Sequence, residues 1–122
     1  MSRLYHLSYD TINCDGHFDG NHDEARRYIL CVVNSSPVLS VHSYTESSLI
    51  LEYEIVESDR LFRFLRNNLA PYFYYSVSLV AKNINTGHEF INHNPNLPLN
   101  TRLQRKLQTL VCDNLGKRIV DY

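Results

Sequence analysis

The sequence has no run of apolar residues approaching the ~18–20 that a bilayer-spanning helix requires, so no membrane partner is expected. Cysteine is scarce: Cys14, Cys31 and Cys112 are odd in number and form no CxxC pair. That spacing excludes a thioredoxin-type motif and a cysteine-rich zinc site. With no signal-peptide pattern in the first residues, it predicts a reducing, cytoplasmic setting. The four glycines form no phosphate-cradling loop, and no GxSxG motif is present, which excludes P-loop chemistry and the nucleophile elbow. No cysteine has a histidine partner in its sequence context, so nucleophilic catalysis has little support and no cofactor is expected. What the chain does contain is 43% hydrophobic residues and nine tyrosines over 122 positions. That is the composition of one globular domain, large enough to bury about 65% of its unfolded surface.

The charges are sorted along the chain. Residues 1–59 hold ten of the 13 acidic residues and three of the 12 basic ones, a net of −7; residues 60–122 carry +6. The formal net of −1 therefore conceals an acidic half and a basic half, and local fields steer partners more than totals do.

Alternation predicts a first strand over Arg3–Ile12, with Tyr5, Leu7 and Tyr9 inward and His6, Ser8 and Asp10 outward. A polar loop, 13–21, leads to a helix over His22–Val33 whose apolar stripe is Ala25, Tyr28, Ile29, Val32 and Val33. Strands follow over Val38–Thr45 and Ser48–Val56. Ser58 is a candidate N-cap for a helix over Asp59–Leu69, with Leu61, Phe62, Leu65 and Leu69 inward. Tyr72–Lys82 reads as a fourth strand. The order strand–helix–strand–strand–helix–strand predicts an α+β, ferredoxin-like antiparallel sheet with two helices on one face. This core spans 1–82. A connector over 83–100 contains Pro95 and Pro98, and a third helix is expected over Thr101–Leu115, burying Leu103, Leu107, Leu110 and Val111 and ending at Gly116. Ile119 and Val120 are candidates for a short edge strand.

The segment Leu7-Ser8-Tyr9-Asp10, in this element order, resembles the first strand of the small CRISPR adaptation proteins. Their kin, the virulence-associated protein D toxins and GhoS-type ribonuclease antitoxins, share that fold. The resemblance implies that Asp10 is a ligand of Mg or Mn, brought together with its counterpart in a symmetric dimer to activate water against a phosphodiester.

The loop Asp15–Glu24 puts Asp15, Asp19 and Gly20 at the first, fifth and sixth positions of a calcium loop. His17 stands at the third and Arg26 at the twelfth, where a bidentate Glu is needed, so an EF-hand is excluded. His17 and His22 have no zinc spacing. This loop reads as a solvated turn whose acids start the helix.

Arg60, Arg63 and Arg66 step along the second helix, and Arg102, Arg105 and Lys106 cluster on the third, with Lys117 and Arg118 beyond. Helices lying side by side would make these one positive face for nucleic acid or an acidic protein. The opposite sheet face would show His6, Ser8, His42, Tyr44, Glu52, Glu54, Tyr72 and Tyr74. It lacks an RNP1-type run and carries repelling carboxylates, so it suits a homodimer or another protein better than RNA. The expected function is a non-catalytic interaction module of the regulator or inhibitor type, phage-encoded ones included, engaging a protein complex or nucleic acid. The alternative is a metal-dependent nuclease using Asp10.

Overall fold

The computed structural model describes residues 2–54, 58–80 and 97–122. Tyr5 and Leu7 are buried while His6 and Asp10 are exposed on strand β1, Ser2–Thr11, as period-two alternation requires. The chain continues through α1 (Cys14–Phe18), α2 (His22–Asn34), β2 (Val38–Thr45), β3 (Ser48–Glu54), α3 (Ser58–Leu69), β4 (Phe73–Val80) and α4 (Leu97–Gln108). Most of the expected 83–100 connector lies outside the described residues, and 97–100 belong to α4.

The four strands form one sheet in the order β2-β3-β1-β4, every neighbouring pair antiparallel. Two successive antiparallel steps restore direction. Hence β1 and β2 run parallel with β3 between them, and β3 and β4 run parallel with β1 between them. Each crossover carries helix across one face. Tyr5, Leu7, Leu49, Leu51, Tyr53 and Phe73 of that face join Ala25, Tyr28, Ile29, Leu61, Phe64 and Leu65 of the helices in a single core. Each fully buried large side chain stabilises this packing by about 1.5–3 kcal/mol relative to exposure. Layering is therefore α+β with helices on one side.

The loop expected at 13–21 is partly helical. Asn13, at φ 50°, begins α1 and its side chain accepts a hydrogen bond from the Gly16 amide at 3.2 Å. A Cβ on Gly16 would run into the Asn13 side-chain amide, so a larger residue there would displace the group that caps the turn. Phe18 anchors the turn among Tyr28, Tyr72 and Phe73. Asn21 then caps α2 by accepting from the Glu24 amide.

Four further expectations are corrected. Phe62 is 37% exposed, and the buried stripe of α3 runs through Leu61, Phe64, Leu65, Asn68 and Leu69. Tyr72 precedes β4 and packs with Phe18 and Tyr28 on the helical side, not on the open face. Helix α4 starts and stops earlier than expected: Leu103 is buried, but Val111 is 57% exposed and Gly116 sits in a later turn at φ 71°. Ile119 and Val120 form no strand; the Asn68 side chain takes the place of a strand partner for Val120.

Candidate functional site

Helix α3 turns Leu61, Phe64, Leu65, Asn68 and Leu69 inward and leaves Arg60, Arg63 and Arg66 exposed. Its neighbour is the C-terminal segment. Lys117 Nζ lies 5.2 Å from the Tyr72 ring and 5.5 Å from the Phe18 ring, close enough for cation–π attraction. Three residues on, Val120 donates its amide to Asn68 Oδ1 at 2.7 Å, and its carbonyl accepts from Asn68 Nδ2 at 3.0 Å. Tyr122 packs edge-on against Phe64, and its carbonyl accepts from Arg60 Nη2 at 2.8 Å. The Arg60 guanidinium also sits 4.4 Å above the Tyr122 ring. Residues 117–122 thus run back along the Arg60–Phe64–Asn68 stripe of α3, from its last turn to its first. The segment that carries Lys117 and Arg118 meets the helix that carries Arg60, Arg63 and Arg66, with contacts at Arg60, Phe64 and Asn68.

The second basic cluster behaves differently. Helix α4 packs at the β2 edge of the sheet, while α3 packs against β4 and α2, so the two helices lie at opposite edges. The single α3–α4 basic face expected above is not formed. Arg102 is paired with Glu46, and Lys106 Nζ reaches Asp23 Oδ1 at 2.7 Å. The hydrogen bond and charge of Lys106 hold the Asp23 carboxyl below its ordinary pKa. Arg27, already bound to Glu24, donates to the carbonyls of Val111, Asp113 and Asn114 at 2.8, 3.0 and 3.3 Å. Part of the sorted charge is therefore neutralised within one chain; Arg105 remains exposed.

The open sheet face is the electrostatic opposite of α3. Arg3 is the one Lys or Arg in the four strands. Register places His6, Ile50 and His42 in a row across β1, β3 and β2, and Ser2 and Ser40 both donate to Glu52. Tyr74, 67% exposed, lies opposite Asp10. Tyr44 belongs to β2, and its side chain lies outside the described residues.

Asp10 is exposed, and its Oδ1 accepts from the Thr11 amide at 2.8 Å. With His22, Asp23 and Glu46 it lines a cleft of about 220 Å³, which Arg26 and Lys106 also line. Among the described residues no three His, Cys, Asp or Glu side chains are grouped as metal ligands.

Two features gave no signal in the sequence. Arg26 is 6% exposed; it donates to Ser43 Oγ and to the Glu46 carbonyl, which also accepts from Tyr9 Oη at 2.9 Å. The cation tethers α2 to the β2–β3 turn, and burial outweighs its attraction to raise the Tyr9 pKa. Cys31 of α2 is joined to Cys112 in a disulfide with Cα atoms 5.6 Å apart, which leaves Cys14 as a thiol. Comparison with family models, curated proteins and solved structures gave no match.

Proposed function

We propose that this protein is a non-catalytic interaction module, built on a ferredoxin-like core, whose α3–C-terminal face binds the phosphate backbone of nucleic acid. The core assignment draws on the β2-β3-β1-β4 order and its two split crossovers. The observation that carries the binding reading is the docking of residues 117–122 along α3. It brings the segment bearing Lys117 and Arg118 onto the helix whose Arg60, Arg63 and Arg66 are exposed, in a chain whose strands are nearly free of bases. Arginine forks suit phosphate oxygens, and each phosphate neutralised releases counterions.

Fluorescence anisotropy with labelled single- and double-stranded oligonucleotides tests this. Affinity should fall with salt at a log–log slope of roughly −0.9 per phosphate contacted. Arg63→Glu with Arg66→Glu should weaken binding at least about tenfold, or ~1.4 kcal/mol. Binding to an acidic polypeptide but to neither oligonucleotide would move the partner to a protein surface. A second reading, a Mg- or Mn-dependent nuclease with Asp10 as ligand in a dimer, draws on the cleft that Asp10 shares with His22, Asp23 and Glu46. Oligonucleotides that shorten with Mg, and stop shortening in Asp10→Ala, would put that reading first.

A further inference from the structure

The segment that completes the basic face has no helix or strand of its own beyond Gln108, and its hold on the domain is thin. Val111 and Val120 are largely exposed, and Leu115, Ile119 and Tyr122 are half-buried. Apart from those side chains it is held by three carbonyls on Arg27, the Lys117 contacts, the Val120–Asn68 pair and the Arg60–Tyr122 contacts. The one covalent hold is the bond from Cys112 to Cys31. Cys31 stands one turn after Arg27 on α2, so bond and guanidinium grip the same stretch, 111–114. The two residues differ in exposure: Cys31 is 2% exposed within α2, whereas Cys112 lies in the exposed part of the segment.

We propose that Cys31–Cys112 is a redox-active catch, and that its reduction by a dithiol frees residues 112–122 from α2 and α3. A reductant thiolate attacks the Cys112 sulfur, the Cys31–Cys112 bond breaks, and Cys31 leaves as a thiolate that takes up a proton. The second thiol of the reductant then attacks the mixed disulfide. Cys112 departs as a thiolate and is protonated, and the reductant closes into its own disulfide. Two electrons pass from dithiol to cystine. With the bond gone, what remains is a short surface segment of the kind that opens locally at little cost. Release carries Lys117 and Arg118 away from the helix that bears Arg60, Arg63 and Arg66. That last consequence rests on the binding face proposed above; the catch itself does not.

Limited trypsin digestion of the native protein, with and without dithiothreitol, reads the catch directly by mass spectrometry. Reduction should accelerate cleavage after Lys117 and Arg118 by about tenfold or more, leaving sites within α2 and α3 protected. Cys31→Ser with Cys112→Ser should cleave at the fast rate in either condition, while Cys14→Ser keeps the response. Equal rates with and without reductant overturn the proposal. So does acceleration at sites throughout the chain, which would mean that the bond holds the whole fold. Wild-type protein alone decides this if the serine variant does not fold. Oligonucleotide anisotropy in both states separates the two readings. Cleavage that accelerates while no oligonucleotide binds in either state supports the catch and removes the binding face. Affinity that drops on reduction together with faster cleavage supports both.

Discussion

Asn68 is the residue on which the docking of the C-terminal segment can be measured. It is 1% exposed, and its amide makes three hydrogen bonds. Oδ1 accepts from the Val120 amide, and Nδ2 donates to the carbonyls of Val120 and Phe64. Asn68→Ala removes all three and leaves the part-buried amide and carbonyl of Val120 without partners. At about 1 kcal/mol per bond, with a further penalty for the stranded groups, the loss should be about 2–4 kcal/mol. Urea unfolding of the oxidised protein reads it as a lower midpoint at unchanged slope. Detachment of the segment sets a ceiling, since a detached segment has no more to lose. In reduced protein the same substitution should therefore cost clearly less. Asn68→Asp sharpens the test, because a carboxylate oxygen would then face the two carbonyls that Nδ2 now satisfies. Its folded-state pKa must lie above the ordinary value of about 3.9. The folded state then binds more protons than the unfolded one between those two values, so the defect is complete above the folded pKa and shrinks as pH falls through it. A loss under ~0.5 kcal/mol for Asn68→Ala, or an Asp variant whose defect ignores pH, would refute this account of the docking.

Three further outcomes follow from the same geometry. The lowered Asp23 pKa means that its pairing with Lys106 stabilises the fold above the ordinary carboxylate pKa and is lost as pH falls through the lowered value. At an exposed site this is worth ~0.2–1 kcal/mol, and Lys106→Met or added salt should abolish it in pH-dependent unfolding curves. Burial pushes Tyr28 and Tyr53 up to about 12, so ultraviolet titration of the nine tyrosines should show a late step that Tyr28→Phe reduces. The Asp10 carboxylate bonds to the amide of the next residue, and Asp10→Ala should shift the urea midpoint by no more than ~0.5 kcal/mol. A larger loss would reveal a structural role for this carboxylate.

Local pattern sufficed where the deciding neighbours are close in sequence. The alternation in β1 and the stripe of α2 each depend on residues a few positions apart, and those elements lie where the spacing puts them. The errors share a different origin. On α3 the apolar Phe62 looked like core and the polar Asn68 did not. The burial of Asn68 is made possible by Val120, 52 positions away. Helix α4 was drawn too far, because Arg27 and Cys31 pull 111–114 onto α2 across more than 80 positions of sequence. Phe18 read as part of a solvated loop, because the aromatic cluster that receives it comes from α2, Tyr72 and β4.

The sorted charge shows the same division between chain and space. Counting along the sequence finds an acidic half and a basic half but cannot say which charges meet. Folding joins Lys106 to Asp23 and Arg102 to Glu46 at separations of 83 and 56 residues, so α4 spends much of its charge on assembling the monomer. Among the described residues no ion pair reaches Arg63, Arg66 or Arg118, and the carboxylates of the open sheet face stand on the other side of the domain. On the proposed reading, the binding surface is a residue of folding: the cations left over once the chain has matched its own acids. If so, Lys106→Glu, which breaks an internal pair, should cost stability and leave oligonucleotide affinity largely intact. Arg63→Glu should do the reverse. The opposite pattern would mean that the α4 cluster is the binding surface and the α3 arginines are solvated exterior.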